Sequence, residues 1–229
     1  MYQHVIFDLD GTLLNTLDDL ADAGNWVCRR HGWPVHPVQA YRYFVGNGLF
    51  KLVERFSPEG HRGPEEVQAV LDGEFMPYYG AHKEDKTAPY AGVPQALRQL
   101  TGAGVSMAVL TNKADALAGA VVEGYYPGVF PLVQGALPDV PAKPDPTLLG
   151  LLLERMGARP ENTLFVGDSN VDIRTAKNGG LASCGVLWGF RSRRELEEEG
   201  ADFLAETPEQ LVRLILDHGQ TENVCSCGR

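Results

Sequence analysis

The chain has 229 residues, 44% of them hydrophobic, and a formal net charge of −10 at pH 7, with a pI near 5.0. That length supports one sizeable core, or a core domain with a smaller companion, while the negative field disfavours nucleic acid and anionic membranes. No uncharged apolar run reaches membrane-spanning length, and no charged leader with an apolar segment precedes the first strand. Four scattered cysteines, Cys28, Cys184, Cys225 and Cys227, make no disulfide framework, so the expected compartment is a reducing cytoplasm.

In chain order, Gln3–Phe7 reads as a buried strand. Three helical faces follow: Leu17, Leu20, Ala21, Val27 and Cys28; then Leu49, Leu52, Val53 and Phe56; then Val67, Val70, Leu71 and Phe75. Pro34, Pro37, Pro58 and Pro64 punctuate them. From Pro89 the rhythm changes to alternating helices and strands. Helices are expected at Val93–Leu100, Asp115–Glu123, Pro146–Met156, Asp172–Asn178 and Pro208–Leu216. Strands are expected at Val105–Leu110, Val129–Val133, Thr163–Val166, Ser183–Leu187 and Asp202–Leu204. This alternation predicts an α/β fold with a doubly wound parallel sheet and an inserted all-helical domain. The expected division is a Rossmann-like core at 1–15 and 87–220, a helical cap at 16–86 and a mobile polar tail at 221–229.

Ligands of such sheets sit beyond the carboxyl ends of the strands. The first strand ends in Asp8-Leu9-Asp10-Gly11-Thr12, the second in Thr111-Asn112-Lys113, and a later one in Gly167-Asp168-Ser169 with Asp172 one turn on. Lys143 stands before a helix. Singly, these residues read as turn residues, a helix cap or a surface lysine. Together at successive strand ends they make a metal-plus-phosphate constellation: carboxylates are hard oxygen ligands suited to Mg²⁺, and an ammonium is a point charge for phosphate. A divalent cation between the carboxylates would offset their repulsion.

These elements resemble the haloacid dehalogenase superfamily, in particular its phosphatases, over nearly the whole chain. "DLDGT" matches the first motif of that family, "LTN" the second, Lys143 in "AKPDP" the third and "GDSNVD" the fourth. The resemblance implies Asp8 as nucleophile and Asp10 as general acid and base. It implies phosphate binding by Thr111, Asn112, Lys143 and backbone amides near Leu9, Asp10 and Asn112. Mg²⁺ would be held by Asp8 and Asp168 through side chains and by Asp10 through its carbonyl, with Ser169 and Asp172 in support. Asn15 departs from the aspartate common at that point, which bears on hinge hydrogen bonding.

Within the cap, Gly46-Asn47-Gly48 precedes an amphipathic helix, where free amides can approach an anion. This segment resembles the cap loop of phosphoglycolate phosphatases, and "YAGVPQALRQL" and "LTNK" resemble the same group. A plain helix-start loop is the competing explanation. Arg42, Lys51 and Arg55 are candidate cap cations. The expected function is Mg²⁺-dependent phosphomonoester hydrolysis of a small phosphorylated metabolite, 2-phosphoglycolate being the single best substrate, by a monomer or homodimer. A sugar phosphomutase, another small-metabolite or pyrophosphate phosphatase and a non-catalytic binding protein are the alternatives. Asp10 counts against a phosphonate hydrolase. His31, His36 and His61 are expected on the surface, and Arg191–Gly200 as a solvated helix laced with salt bridges.

Overall fold

The computed structural model describes residues 1–217. The tail at 221–229, with Cys225 and Cys227, lies outside the described residues. Strand β1 (His4–Phe7) occupies the centre of a six-stranded sheet. Around it run β4 (Ser106–Ala114), β5 (Leu132–Ala136), β6 (Thr163–Gly167), β7 (Ala182–Val186) and β8 (Phe203–Ala205). The order is β5-β4-β1-β6-β7-β8, and every pairing is parallel. Parallel strands covered on both faces need apolar side chains on both. Val5, Ile6, Phe7, Leu164, Phe165 and Val166 are accordingly buried. Helices α6 (Val93–Gly102) and α11 (Pro208–Asp217) pack on one face, and α8 (Thr147–Met156) and α9 (Asn170–Asn178) on the other. Helix α7 (Asp115–Tyr125) and the short α10 (Arg193–Glu198) complete this part.

The expected strands and helices are present, with shifted ends. The strand expected at Val129–Val133 runs over Leu132–Ala136. The strand expected to stop at Leu110 continues to Ala114, with a register shift against β5 between Leu110 and Ala114. That extension carries Thr111, Asn112 and Lys113 out over the rim.

Between β2 (Leu14–Asn15) and β3 (Ala88–Pro89) the chain builds a second unit from helices α1 (Leu17–His31), α2 (Val38–Phe44), α3 (Leu49–Phe56), α4 (Pro64–Val70) and α5 (Met76–His82). Its own apolar cluster centres on Tyr41, Phe56, Phe75 and Tyr79, all essentially inaccessible. The antiparallel pair β2–β3 marks where the chain leaves and returns. The buried Asp19 carboxylate pins the return, accepting from the Lys86 and Thr87 amides and the Thr87 hydroxyl. Asn15 Oδ1 accepts from the Leu17 amide at 3.4 Å, a long bond at the entry of α1.

α4 and α5 are one continuous helix interrupted by a π-helical turn over Leu71–Phe75. The Met76 amide reaches back five residues to the Leu71 carbonyl. Pro77 accounts for this widening. It has no N–H for the carbonyl four residues before it, and its ring would strike that carbonyl in a regular α-helix. The wide turn leaves Phe75 and Tyr79 on the same inward face.

Candidate active site

The carboxyl ends of β1, β4 and β6 meet at the centre of the sheet and place Asp8, Thr111 and Asp168 on one rim. All three are buried. Asp8 takes its place because its amide donates to the Val166 carbonyl, which prolongs the ladder by one residue past β1. Gly11, at φ +92°, then turns the chain so close to Asp168 that a Cβ there would lie 2.5 Å from its Oδ2. Gly189 closes the same carboxylate from the other side, where a Cβ would lie 2.2 Å from the Asp168 Cβ. Only glycine permits so close an approach from both sides.

Lys143 brings its ammonium into this rim from the loop before α8. Its Nζ donates to Asp8 Oδ1 at 2.8 Å and to Asp172 Oδ1 at 2.7 Å, with the lysine side chain 2% exposed. Asn112 fixes that loop, accepting from the Lys143 amide at 2.9 Å and donating to its carbonyl at 3.0 Å. Asp172 is the N3 residue of a capping box. Its Oδ2 accepts from the Ser169 amide and hydroxyl, so the start of α9 aims it at Lys143. Asp172 therefore both caps the helix and orients the lysine. Burial lowers the Lys143 ammonium, but the pull of Asp172 and Asp8 outweighs it and holds the lysine protonated.

The carboxylates are in tension. Burial pushes Asp8 up to about 7, against the opposing pull of Lys143. Burial, with the charges of Asp172 and Asp8, pushes Asp168 up to about 8. Asp168 is already held by the Thr12 hydroxyl on Oδ1 and the Phe190 amide on Oδ2. Asp8, Asp168 and Asp172 each offer an oxygen within 4.8 Å of the others. Three buried carboxylates crowded together, two of them pushed toward their protonated forms, are a donor set that a divalent cation would satisfy. This cluster could bind a metal. Asp10 is not one of its carboxylates, because its side chain turns toward Lys113.

Lys113 was not singled out in the sequence, yet it is the second ammonium of the site. Its side chain is 1% exposed. It donates to Asp10 Oδ1 at 3.0 Å and to the Tyr79 hydroxyl at 2.7 Å. Tyr79 belongs to the helical unit, so this bond crosses from one unit to the other. So do the bonds from Asn112 Nδ2 to the Gly46 carbonyl, from Arg191 Nη2 to the Val45 carbonyl, and from Arg42 to the Gly189 and Phe190 carbonyls. The helical unit is therefore closed over the rim.

The pocket enclosed between them has a cavity volume of about 30 Å³. Its floor is Asp8, Asp10, Thr111, Asn112, Lys113, Lys143, Ser169 and Asp172. Its roof is Leu20, Val45, Gly46, Gly48, Leu49 and Leu52. The three candidate cap cations are engaged elsewhere: Lys51 with Glu54, Arg55 with the Tyr43 and Phe44 carbonyls, Arg42 with the 189–190 loop. Asn47 Oδ1 accepts from Arg55 Nη2, and Asn47 is not among the pocket-lining residues. His31 and His61 are exposed, but His36 is half-buried, bonded to the Phe56 carbonyl and packed edge-on against Tyr41 and Phe44. The run from Arg191 divides likewise. Arg193 and Arg194 form exposed i,i+4 pairs, whereas Arg191 is buried at the Val45 loop.

Residues 5–186 match the haloacid dehalogenase-like hydrolase family model. A phosphoglycolate phosphatase of Pseudomonas syringae pv. syringae is 32% identical, over 93% of this chain and 79% of that protein. One from Vibrio vulnificus is 33% identical, over 93% and 95%. Among solved structures, a candidate phosphoglycolate phosphatase from Lactobacillus delbrueckii subsp. bulgaricus superposes with a TM-score of 0.86 at 31% identity, covering 93% of this chain and 98% of that one. With its parallel sheet, its helical insert and four motifs gathered on one rim, the chain belongs to the haloacid dehalogenase-like hydrolases.

Proposed function

We propose that the protein hydrolyses a small phosphomonoester through an aspartyl-phosphate on Asp8, with Asp10 as general acid and base and 2-phosphoglycolate as substrate. The observation that carries this reading is the Asp8 carboxylate at the pocket floor, held through Oδ1 by a buried lysine while Oδ2 has no hydrogen bond among the described residues. Asp8 attacks phosphorus, its oxygen–phosphorus bond forms, and the ester oxygen–phosphorus bond breaks. The proton on the Asp10 carboxyl passes to the departing oxygen, which leaves as the alcohol. Water then attacks the same phosphorus and returns a proton to Asp10, and the bond to Asp8 breaks to release inorganic phosphate. Lys143 and the Thr111 hydroxyl bear on the phosphoryl oxygens. Asp8 and Asp168, with the Asp10 carbonyl, would hold Mg²⁺, which supplies positive charge against the phosphoryl oxygens and keeps the carboxylates ionised.

Three features support a compact, carboxylated substrate. The cavity of about 30 Å³ under the cap has room for roughly two waters, so a small ester demands the least rearrangement to enter. Gly46 and Gly48 bring backbone to the roof at the start of α3, where amides can meet an anion. The relatives named above are phosphoglycolate phosphatases. The buried free thiols Cys28 and Cys184 accord with a reducing cytoplasm. The test is phosphate release over a panel of small phosphoesters with Mg²⁺, using Asp8→Asn protein as the blank. A kcat/KM for 2-phosphoglycolate at least about tenfold above the other esters is expected. Equal rates across the panel would remove the substrate assignment and leave the chemistry.

A further inference from the structure

We propose that Tyr79 and Lys113 form a positioning relay through which cap closure aims Asp10. The proposal rests on Asp10 being the general acid of the mechanism above. A lysine ammonium has three donors and no acceptor, and burying it without partners is costly. Among the described residues the core gives the Lys113 ammonium one partner, the Asp10 carboxylate, at 3.0 Å to Oδ1 and 3.4 Å to Oδ2. The cap gives the other, the Tyr79 hydroxyl at 2.7 Å.

Tyr79 is rigidly set to do this. Its ring is fully buried in the cap cluster, stacks on Phe75 at 5.6 Å between centroids, and lies 5.0 Å from the Lys113 Nζ. When the cap lifts, Lys113 keeps Asp10 alone, and nothing anchors the ammonium on its far side. When the cap closes, the ammonium is fixed between two groups, and Asp10 is held against a rigid support while it lines the pocket. The general acid is thus in place when water is excluded, so binding energy spent on closure is realised at the proton-transferring group. Tyr79 touches no substrate in this scheme; it acts through Lys113.

The test uses two esters of nearly equal size, ethyl phosphate and trifluoroethyl phosphate. The basic ethoxide needs the proton from Asp10, whereas trifluoroethoxide needs it far less. Tyr79→Phe keeps the ring and its packing and removes one hydrogen bond to a charged group. It is expected to lower kcat/KM for ethyl phosphate about tenfold and for trifluoroethyl phosphate less than about threefold, with KM little changed. Lys113→Met is expected to show the same selectivity at about a hundredfold loss. Adding Tyr79→Phe to Lys113→Met should cost nothing further, since both act through one path. Equal losses on the two esters for Tyr79→Phe, or additive losses in the double variant, would overturn the relay. Asp10→Asn separates the two levels. If it is selective against ethyl phosphate while Tyr79→Phe is not, the relay alone fails. If it too loses both esters equally, Asp10 is not the acid, and the relay falls with it.

Discussion

The rim of the sheet and the roof supplied by the cap face each other across the same small cavity, and they are built oppositely. On the rim most polar side chains have more than one partner: Lys143 has Asp8 and Asp172, Asp172 has Ser169 as well, Asp168 has Thr12 and Phe190, and Lys113 has Asp10 and Tyr79. The roof is Leu20, Val45, Leu49 and Leu52 with two glycines. The rim is rigid because strand ends and interlocked charges fix it, and it carries groups that must be aimed to within fractions of an ångström. In the proposed reaction the roof would exclude water and offer the substrate backbone rather than charge. Charge therefore stays on the core side of the cavity, while the cap's Arg42 reaches across to the 189–190 loop and its Arg55 braces the cap's own carbonyls.

The contrast breaks most sharply at Asp8. Asp8→Asn is expected to lower turnover at least roughly 10⁴-fold, because an amide cannot form the acyl phosphate, while circular dichroism and melting temperature stay near wild type. Near-normal phosphate release by the pure variant would end the covalent reading. Lys143→Met should damage both function and fold. It removes one member of a buried charge cluster, at a cost of about 3–5 kcal/mol measured by urea denaturation, and leaves Asp8 and Asp172 facing each other unshielded. If stability is unchanged, the network is less tightly coupled than its distances indicate.

A third effect is set by pH. Asp8 and Asp168 keep their protons to about 7 and about 8, above the ordinary carboxyl value of 3.8. The folded chain without metal thus binds more protons than the unfolded chain between those limits. Its stability is fully present below the unfolded value and declines as pH rises through 7 and 8. Mg²⁺ favours the ionised carboxylates, so its stabilising effect should grow over the same window. Each kcal/mol corresponds to about 2–4 °C in Tm for a chain of this size. Melts with Mg²⁺ and with chelator should diverge between about pH 5 and pH 9; a constant gap would mean that these carboxyls do not sense the ion.

The smallest effect belongs to the roof. Gly48 sits at φ +83°, and a Cβ there would meet the Asn112 carbonyl oxygen only at an ordinary contact distance of 3.8 Å, so Gly48→Val strains the backbone more than it blocks the cavity. It should lower kcat/KM for 2-phosphoglycolate by about tenfold more than for an aryl phosphate, which makes no use of a carboxylate subsite. Equal losses would take the loop out of substrate selection.

What was legible in the sequence follows the same division. Asp8, Thr111 and Asp168 could be read because each ends a short apolar run, and a doubly wound sheet gathers such ends. Lys143 could be read from its motif. Lys113 could be placed at the same strand end but not given a role, because Thr111 and Asn112 marked the end of the apolar run, although the strand continues past them to Ala114. Tyr79 looked like any aromatic residue on a buried helix face, and its hydroxyl partner lies 34 residues away in sequence. Arg191 was hidden at the head of a charged run whose other arginines, Arg193 and Arg194, are exposed. Such pairings depend on how two units with separate apolar clusters meet, and no local pattern records that.

The π-helical turn over Leu71–Phe75 has a consequence for how this cap tolerates changes in length. Each residue of an α-helix rotates the chain by about 100° and advances it 1.5 Å, and a π turn absorbs one residue beyond the regular count. Deleting one residue there only uses up that surplus and leaves Tyr79 near its place, but deleting a second finds nothing left to absorb it. Everything beyond it would swing by about 100°, carrying Tyr79 off the face that meets Lys113. An exposed loop of the cap can lose or gain residues freely, but this helix is a clockwork part. The tooth that engages the core is set by a count of residues, and a shortened cap could still fold and still close without turning the wheel beneath it.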